Sequence, residues 1–238
     1  MYLLNKVISK KQQFYKLNIF WQLKCTHSKI LRFSMKSYDS IRIFKNPILE
    51  ACTHVHPIIP LILWMPVSIY WGVNGQATYD LSLGEMVSWY AIGLLVWTFT
   101  EYILHRYMFH FPAKGPLGKR FVFLFHGLHH DDPNDPTRLV MPPVPAIIIM
   151  ALLYGFFSLF VPEMYLQVFM SSFVIGYLCY DYIHYATHHF KMTGKVGRYL
   201  KKFHLQHHFR HEKAKYGVSS PLWDIIFRTM TGPKEEEH

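Results

Sequence analysis

Two stretches of the chain, residues 46–105 and 139–190, contain no lysine or arginine, and every cation falls in one of three blocks, 6–45, 106–138 and 191–234. Inside the cation-free stretches lie four uncharged runs: 57–73 (PIIPLILWMPVSIYWGV), 86–100 (MVSWYAIGLLVWTFT), 139–161 (LVMPPVPAIIIMALLYGFFSLFV) and 164–180 (MYLQVFMSSFVIGYLCY). Each approaches the ~20 apolar residues that a helix needs to cross a bilayer core. The pattern predicts an all-α integral membrane protein with about four transmembrane helices in two hairpins, the first hairpin turning at the polar segment NGQATYD (74–80). The intra-hairpin loops carry Asp80, Glu85 and Glu163 but no cation. The positive-inside rule then puts the N-terminus, the 105–138 loop and the C-terminal region together on the cytoplasmic side. Pro57, Pro60 and Pro66 leave a re-entrant segment open for the first run. The competing expectation is a soluble helical protein with these runs as its core.

Composition enters where it excludes something. With 51% hydrophobic and 17% charged residues, the chain is too apolar for charge-driven disorder. Cys25, Cys52 and Cys179 lie far apart with no CxxC pair, which speaks against a disulfide framework or a thiolate zinc site. The formal charge of +10 would suit a nucleic-acid binder. Its distribution follows the membrane pattern instead, so no nucleic-acid partner is expected. Three regions are expected: a basic, partly dispensable extension over 1–44, a membrane domain over 45–230 and a polar tail over 231–238. In the extension no acidic residue precedes Asp39, and cations alternate with Phe14, Tyr15, Phe20 and Trp21. Such a segment suits an anionic membrane surface or a transit-like signal, the alternative being a dispensable leader with the start at Met35.

Twelve of the 16 histidines lie between His105 and His211. Ten form four clusters: HRYMFH (His105, His110), HGLHH (His126, His129, His130), HYATHH (His184, His188) and HLQHH (His204, His207, His208). On a helix, residues three and four apart share a face, so an HxxHH unit aims two or three imidazoles at one site. His105 and His110, five apart, diverge by ~140° on an ideal helix, so the helix is expected to end or bend before His110. Protonated imidazoles repel one another and neutral ones need hydrogen-bond partners, so ten together call for a cation. Two metals would use about five ligands each. Nitrogen donors suit iron, zinc or copper rather than magnesium or calcium. Glu101 (four before His105), Asp181 (three before His184) and Asp131 (next to His130) are candidates for orienting ligand imidazoles, with His189 and His211 as further supporting groups. His27, His54, His56 and His238 share no such cluster.

The segments TEYILHRYMFH (100–110), HGLHHDDPNDPTRLVMPP (126–143), GYLCYDYIHYATHH (176–189), KKFHLQHHF (201–209) and KYGVSSPLWDIIF (215–227) resemble the membrane fatty acid hydroxylase superfamily. The TRLVMPP, YDYIHY and YGVSSPLWD segments point to the fatty acid 2-hydroxylases among them. The resemblance covers roughly residues 45–230. It implies a transmembrane helical base with a cytosolic helical cap holding a dinuclear metal centre. The family's ligand positions fall on His105, His110, His126, His129, His130, His184, His188, His204, His207 and His208. It further implies two iron ions, with zinc as an alternative occupant, and dioxygen as co-substrate. The substrate would be a long-chain fatty acid or ceramide, hydroxylated at carbon 2, and membrane lipid would surround the chain. Residues 1–45 are too short for the fused cytochrome b5 domain of many relatives and lack its HPGG-type haem motif. A separate electron donor, such as cytochrome b5 or ferredoxin with its reductase, is therefore expected. The membrane would be the endoplasmic reticulum in a eukaryote or the cytoplasmic membrane in a bacterium. Sterol desaturases, sterol methyl oxidases and carotenoid hydroxylases share HxxHH pairs, and a membrane metal-binding or transport protein is the alternative of another class. Transporters place polar ligands within their spans, whereas these histidines cluster at span ends.

Overall fold

The computed structural model describes residues 38–232. The chain divides into two units, residues 1–41 and 42–238, and the following concerns the second. The N-terminal extension up to residue 37 and the last six residues lie outside the described residues, as do the expectations placed on them.

All regular structure among the described residues is helical. In chain order it comprises α1 (Pro47–Ala51), α2 (Ile59–Tyr79), α3 (Leu83–Ile103), a π-helical segment π1 (Leu104–Phe109), α4 (Pro116–Val122), a second segment π2 (Phe123–Gly127), α5 (Leu128–Asp131), α6 (Pro143–Phe157), α7 (Glu163–His189), α8 (Lys195–Phe209) and α9 (Leu222–Ile226). Two continuous helical stretches among the described residues, Leu83–Phe109 and Glu163–His189, are long and apolar enough to cross a membrane. Each has 27 residues, about 40 Å at ~1.5 Å per residue. Helix α6 has 15 residues and is shorter than a full crossing.

The segment NGQATYD is not a turn: α2 continues through Tyr79, and the chain reverses only at Asp80, in the left-handed region at φ 47°. Tertiary contact overrides local polarity there. Asn74 Nδ2 donates to Gln167 Oε1 of α7 at 2.8 Å, and the Gly75 backbone lies against Gln167 and Val168. Helix α3 then starts from a capping box in which Ser82 Oγ accepts from Glu85 N and Glu85 Oε2 accepts from Ser82 N. The other Glu85 oxygen accepts from Tyr165 OH at 2.7 Å, tying the start of α3 to α7.

Helix α7 is the central post, packed against α2 on one side and α3 on the other. Val168, Met170, Ser172, Phe173 and Val174 are fully inaccessible. Two close approaches set the spacing to α3. A Cβ at Gly93 would lie 2.0 Å from Ser172 Oγ and 2.4 Å from the Phe169 carbonyl oxygen, and one at Gly176 would lie 2.6 Å from Trp97. Toward α2, Ser68 Oγ donates to the Ser171 carbonyl and Ser171 Oγ donates to the Ser68 carbonyl.

Outward faces of the flanking helices are apolar. Ile69 and Val73 on α2, Val87 and Leu95 on α3, and Ile148 and Leu152 on α6 are all exposed. Exposed apolar side chains repeated along three helices suit a membrane or partner interface, and together with the two long apolar stretches they support membrane association.

Candidate metal centre

Four backbone segments converge at the end of the bundle where α3 and α7 finish. The two π segments decide how the first two clusters are presented. In π1 the His110 N–H donates to the His105 carbonyl, five residues back, at 3.3 Å. This wider turn stacks residues five apart on one face. The helix does end just before His110, at Phe109 with His110 as its cap, but it first widens from Leu104, and that widening is what brings His110 round beside His105. Segment π2 carries His126, and α5 follows directly with His129 and His130. His184 and His188 occupy successive turns at the end of α7. Helix α8 turns His204, His207 and His208 inward while Lys195, Arg198 and Lys202 face out.

The ten histidines divide into two groups of five. Group A comprises His105, His110, His126, His130 and His207; group B comprises His129, His184, His188, His204 and His208. Each HxxHH unit is thereby split. Its first and last histidines, four apart, serve one group, and the middle histidine serves the other. Within a group all five ring nitrogens offered lie within 4.8 Å of one another. In group A, Nε2 of His126 is 3.0 Å from Nε2 of both His105 and His130, and His110 and His207 are also 3.0 Å apart. Group B forms a chain from His184 through His129, His208 and His204 to His188, with Nε2 separations of 2.8–3.0 Å.

Imidazole hydrogen bonding alone does not account for these arrays. A nitrogen bearing a proton has no in-plane lone pair left to accept, and a bare nitrogen accepts one good bond. Yet Nε2 of His126, His129, His204 and His208 each faces two other Nε2 atoms. Around a metal with nitrogen bonds of about 2.1 Å, ligand nitrogens at right angles stand ~3.0 Å apart. The spacing fits five lone pairs converging on one cation in each group.

Group A carries a further indication. His105 Nδ1 donates to the Tyr216 carbonyl, and His207 Nδ1 donates to the Ala214 carbonyl at 2.7 Å. A carbonyl only accepts, so both rings carry their proton on Nδ1 and present bare Nε2 to the group. Burial, reinforced by neighbouring imidazoles, also holds the rings neutral. Desolvation is the main cause that pushes His110 down to about 4. It lowers His130 and His207 to about 3, with His110 adding to the effect on both. His126, His129 and His204 are driven well below the ordinary range for the same reasons.

The supporting carboxylates lie elsewhere than their spacing suggests. Glu101 does not reach His105. It accepts from the backbone N–H groups of Val218 and Ser219, at 2.6 and 2.9 Å, and from the Ser219 hydroxyl. Asp181 accepts from Tyr177 OH at 3.3 Å, and Asp131 is exposed. His189 packs on Tyr185, outside both groups, and His211 is exposed. The groups that do touch ligand rings are backbone carbonyls of the 214–216 segment. Asp224 seats that segment, accepting from Tyr216 N at 2.9 Å and Gly217 N at 2.7 Å. One sequence signal for Asp224 exists: it is a lone carboxylate inside the apolar run LWDII. His54, which shares no histidine cluster, belongs to a network of its own. Arg138 donates to Glu50 Oε1 at 2.6 Å and to His54 Nε2 at 2.9 Å, so His54 donates from Nδ1 to Thr137 Oγ1, which donates to Asp135. This network fastens residues 43–55 to the 135–138 loop. Cys52 and Cys179 are free and exposed.

A cavity of about 360 Å³ opens onto both groups, with His126 from group A and His129 and His184 from group B in its wall. Apolar residues such as Leu128, Leu139, Val140 and Pro145 line most of the rest, with Arg138, Thr53 and the buried Asp181 as polar neighbours. A smaller apolar pocket of about 40 Å³ lies next to it toward Trp97, Ile149 and Leu153, and Phe109, Met141, Tyr177 and Tyr180 border both. The arrangement is a mostly apolar slot with imidazole clusters at one end.

A fatty acid hydroxylase family model matches residues 90–229 of the chain. The chain is 35% identical over 179 residues to a dihydroceramide fatty acyl 2-hydroxylase of Arabidopsis thaliana, covering 74% of this chain and 75% of that protein. It is 34% identical over 221 residues to the fatty acid 2-hydroxylase of Rattus norvegicus, covering 83% of this chain but only 58% of the longer rat protein. Among solved structures, full-length scs7p, in which only the hydroxylase domain is visible, superposes with a TM-score of 0.76 at 33% identity. The match covers 82% of this chain and 74% of that one.

Proposed function

This chain belongs to the fatty acid hydroxylase family, and on that premise we propose that it is a membrane-bound di-iron oxygenase hydroxylating carbon 2 of long-chain fatty acyl groups. The acyl group is taken as the free acid or within a ceramide, as the names of the relatives indicate for those proteins. The observation that carries this reading is the pair of five-histidine groups at the head of an apolar slot.

His105, His110, His126, His130 and His207 would hold one iron, and His129, His184, His188, His204 and His208 the other. A bound pair of redox-active irons supplies the activation of dioxygen that attack on an unactivated C–H bond requires, which no side chain here offers alone. The chain's own part is positioning. Leu139, Val140, Met141 and Pro145 exclude water and take the acyl chain, so that the carbon next to the polar head stands at His126, His129 and His184. Tyr216 and Ala214 hold the protons of His105 and His207 on Nδ1.

About four membrane segments, built on α2, α3, α6 and α7, would anchor the centre in the membrane, α6 needing its flanking residues to complete a crossing, with the histidines and both termini on the cytoplasmic face. That face belongs to the endoplasmic reticulum in a eukaryote and to the cytoplasmic membrane in a bacterium. Electrons come from a separate donor such as cytochrome b5 or a ferredoxin. It docks on the outer face of α8, where no acidic residue occurs between positions 190 and 211. The test is expression, together with a working donor, in a host that makes no 2-hydroxy lipids, followed by mass spectrometry of the acyl chains. The proposal expects 2-hydroxy species, and their absence from a metal-loaded protein overturns it.

A further inference from the structure

Both Nδ1 contacts to the 214–216 segment belong to group A, and group B has nothing equivalent there. Nδ1 of His204 and of His208 is buried with no protein partner. Four consecutive backbone amides, Tyr216 to Ser219, end on two buried carboxylates: Asp224 takes the first two and Glu101 the last two. Asp224 is wholly inaccessible and also accepts from Thr229 Oγ1 at 2.7 Å. The fit allows no side chain at position 217, where a Cβ would lie 2.0 Å from the Ser220 carbonyl oxygen. The segment is thus clamped from both sides by contacts that involve no histidine.

We propose that the segment Ala214–Thr229 is a clasp that preorganises only one of the two metal subsites, so that the ion in group A is held more tightly than the ion in group B. This rests on the reading of the ten histidines as a two-metal centre and goes beyond it. Asp224 acts as a positioning residue: it fixes the Tyr216 carbonyl, the carbonyl fixes the tautomer and ring plane of His105, and His105 presents a ready lone pair. His207 is fixed likewise through Ala214. In group B, His204 and His208 have no such partner and are free to exchange tautomers, so an ion there must first order its ligands. Losing a hydrogen-bond partner of a ligand imidazole costs ~10–100-fold in metal affinity, which sets the expected difference between the subsites.

The test is chelator competition on the purified full chain loaded with zinc, read by metal content and thus independent of turnover. The wild type should release its two ions in two phases, at chelator concentrations about tenfold or more apart. His184→Ala, in group B, should remove the labile ion and leave the resistant one. His110→Ala, in group A, should do the opposite. Asp224→Asn, which keeps the shape but sets an NH2 against one backbone N–H, should make the resistant ion labile and leave the other phase in place. These outcomes support the clasp. Release of both wild-type ions in one phase overturns it, as does an equal weakening of both ions in Asp224→Asn, and both results leave the hydroxylase reading standing. A wild type that binds no metal overturns both. If Asp224→Asn does not fold, the wild-type phases and the two histidine variants still decide the matter.

Discussion

The two histidine groups solve one problem with different backbones. Group B is built from regular helix. His184 and His188 on α7, and His204 and His208 on α8, are pairs four apart, and only His129 comes from outside. Group A draws on irregular backbone for three of its five: His105 on π1, His110 at its cap and His126 in π2, joined by His130 on α5 and His207 on α8, with two carbonyls from the 214–216 segment. Regular helix delivers paired imidazoles cheaply but leaves their far nitrogens to chance. Irregular backbone requires specific tertiary support, and that support also fixes the tautomers.

The sharpest way to break the comparison is to remove one ligand from each group. His129→Ala and His207→Ala should each abolish 2-hydroxylation, a loss above about 100-fold. Metal analysis should show the ion missing from group B in the first and from group A in the second. Near-wild-type product in either variant removes that residue from the centre.

Acid is the next largest perturbation. Folded His110, His130 and His207 titrate at about 4, 3 and 3, below the ordinary ~6.5 of an unfolded histidine. Between those values the unfolded chain binds protons that the folded chain refuses. The stability of the metal-free protein should therefore be complete above pH ~6.5 and fall as pH drops toward 4. Unfolding in detergent across that window checks the sign; greater stability in acid contradicts it.

A smaller effect comes from the helices that carry the groups. Gly93→Ala places a methyl against Ser172 and the Phe169 carbonyl and should separate α3, which leads to His105 and His110, from α7, which carries His184 and His188. Overpacking of this kind costs about 1–3 kcal/mol, visible as a lowered Tm in detergent, whereas Gly84→Ala, with open space around it, serves as the neutral control. The smallest effect is expected at the surface. Arg198→Glu with Lys202→Glu should slow donor-dependent turnover about tenfold at low salt. Turnover driven by a small chemical reductant should not change.

Much of this was legible in the sequence, for identifiable reasons. All ten grouped histidines could be read because side-chain identity and spacing are sequence properties. The division into groups could not, because an HxxHH unit looks the same whether it serves one ion or straddles two. The π segments were hidden as well: five-residue spacing on an assumed α-helix pointed to an end or bend before His110, and an end at Phe109 follows, but the widening to π turns that precedes it has no sequence signature. Glu101 and Asp181 were singled out by helical offset from histidines, but Glu101 answers to the amides of Val218 and Ser219, more than a hundred residues away in sequence. The decisive contacts to His105 and His207 come from backbone carbonyls, which every residue has. The helical extent of α2 through NGQATY depended on Gln167 and Val168 across the bundle.

The proposed reaction inserts oxygen from dioxygen at carbon 2 of an acyl chain, at two five-histidine groups at the head of an apolar slot. The most direct measurement supplies ¹⁸O-labelled dioxygen to the reconstituted protein with a long-chain acyl substrate and an electron donor, and locates the label by fragment mass spectrometry. ¹⁸O is expected in the hydroxyl on carbon 2. A hydroxyl derived from water, or label at another carbon, would contradict it.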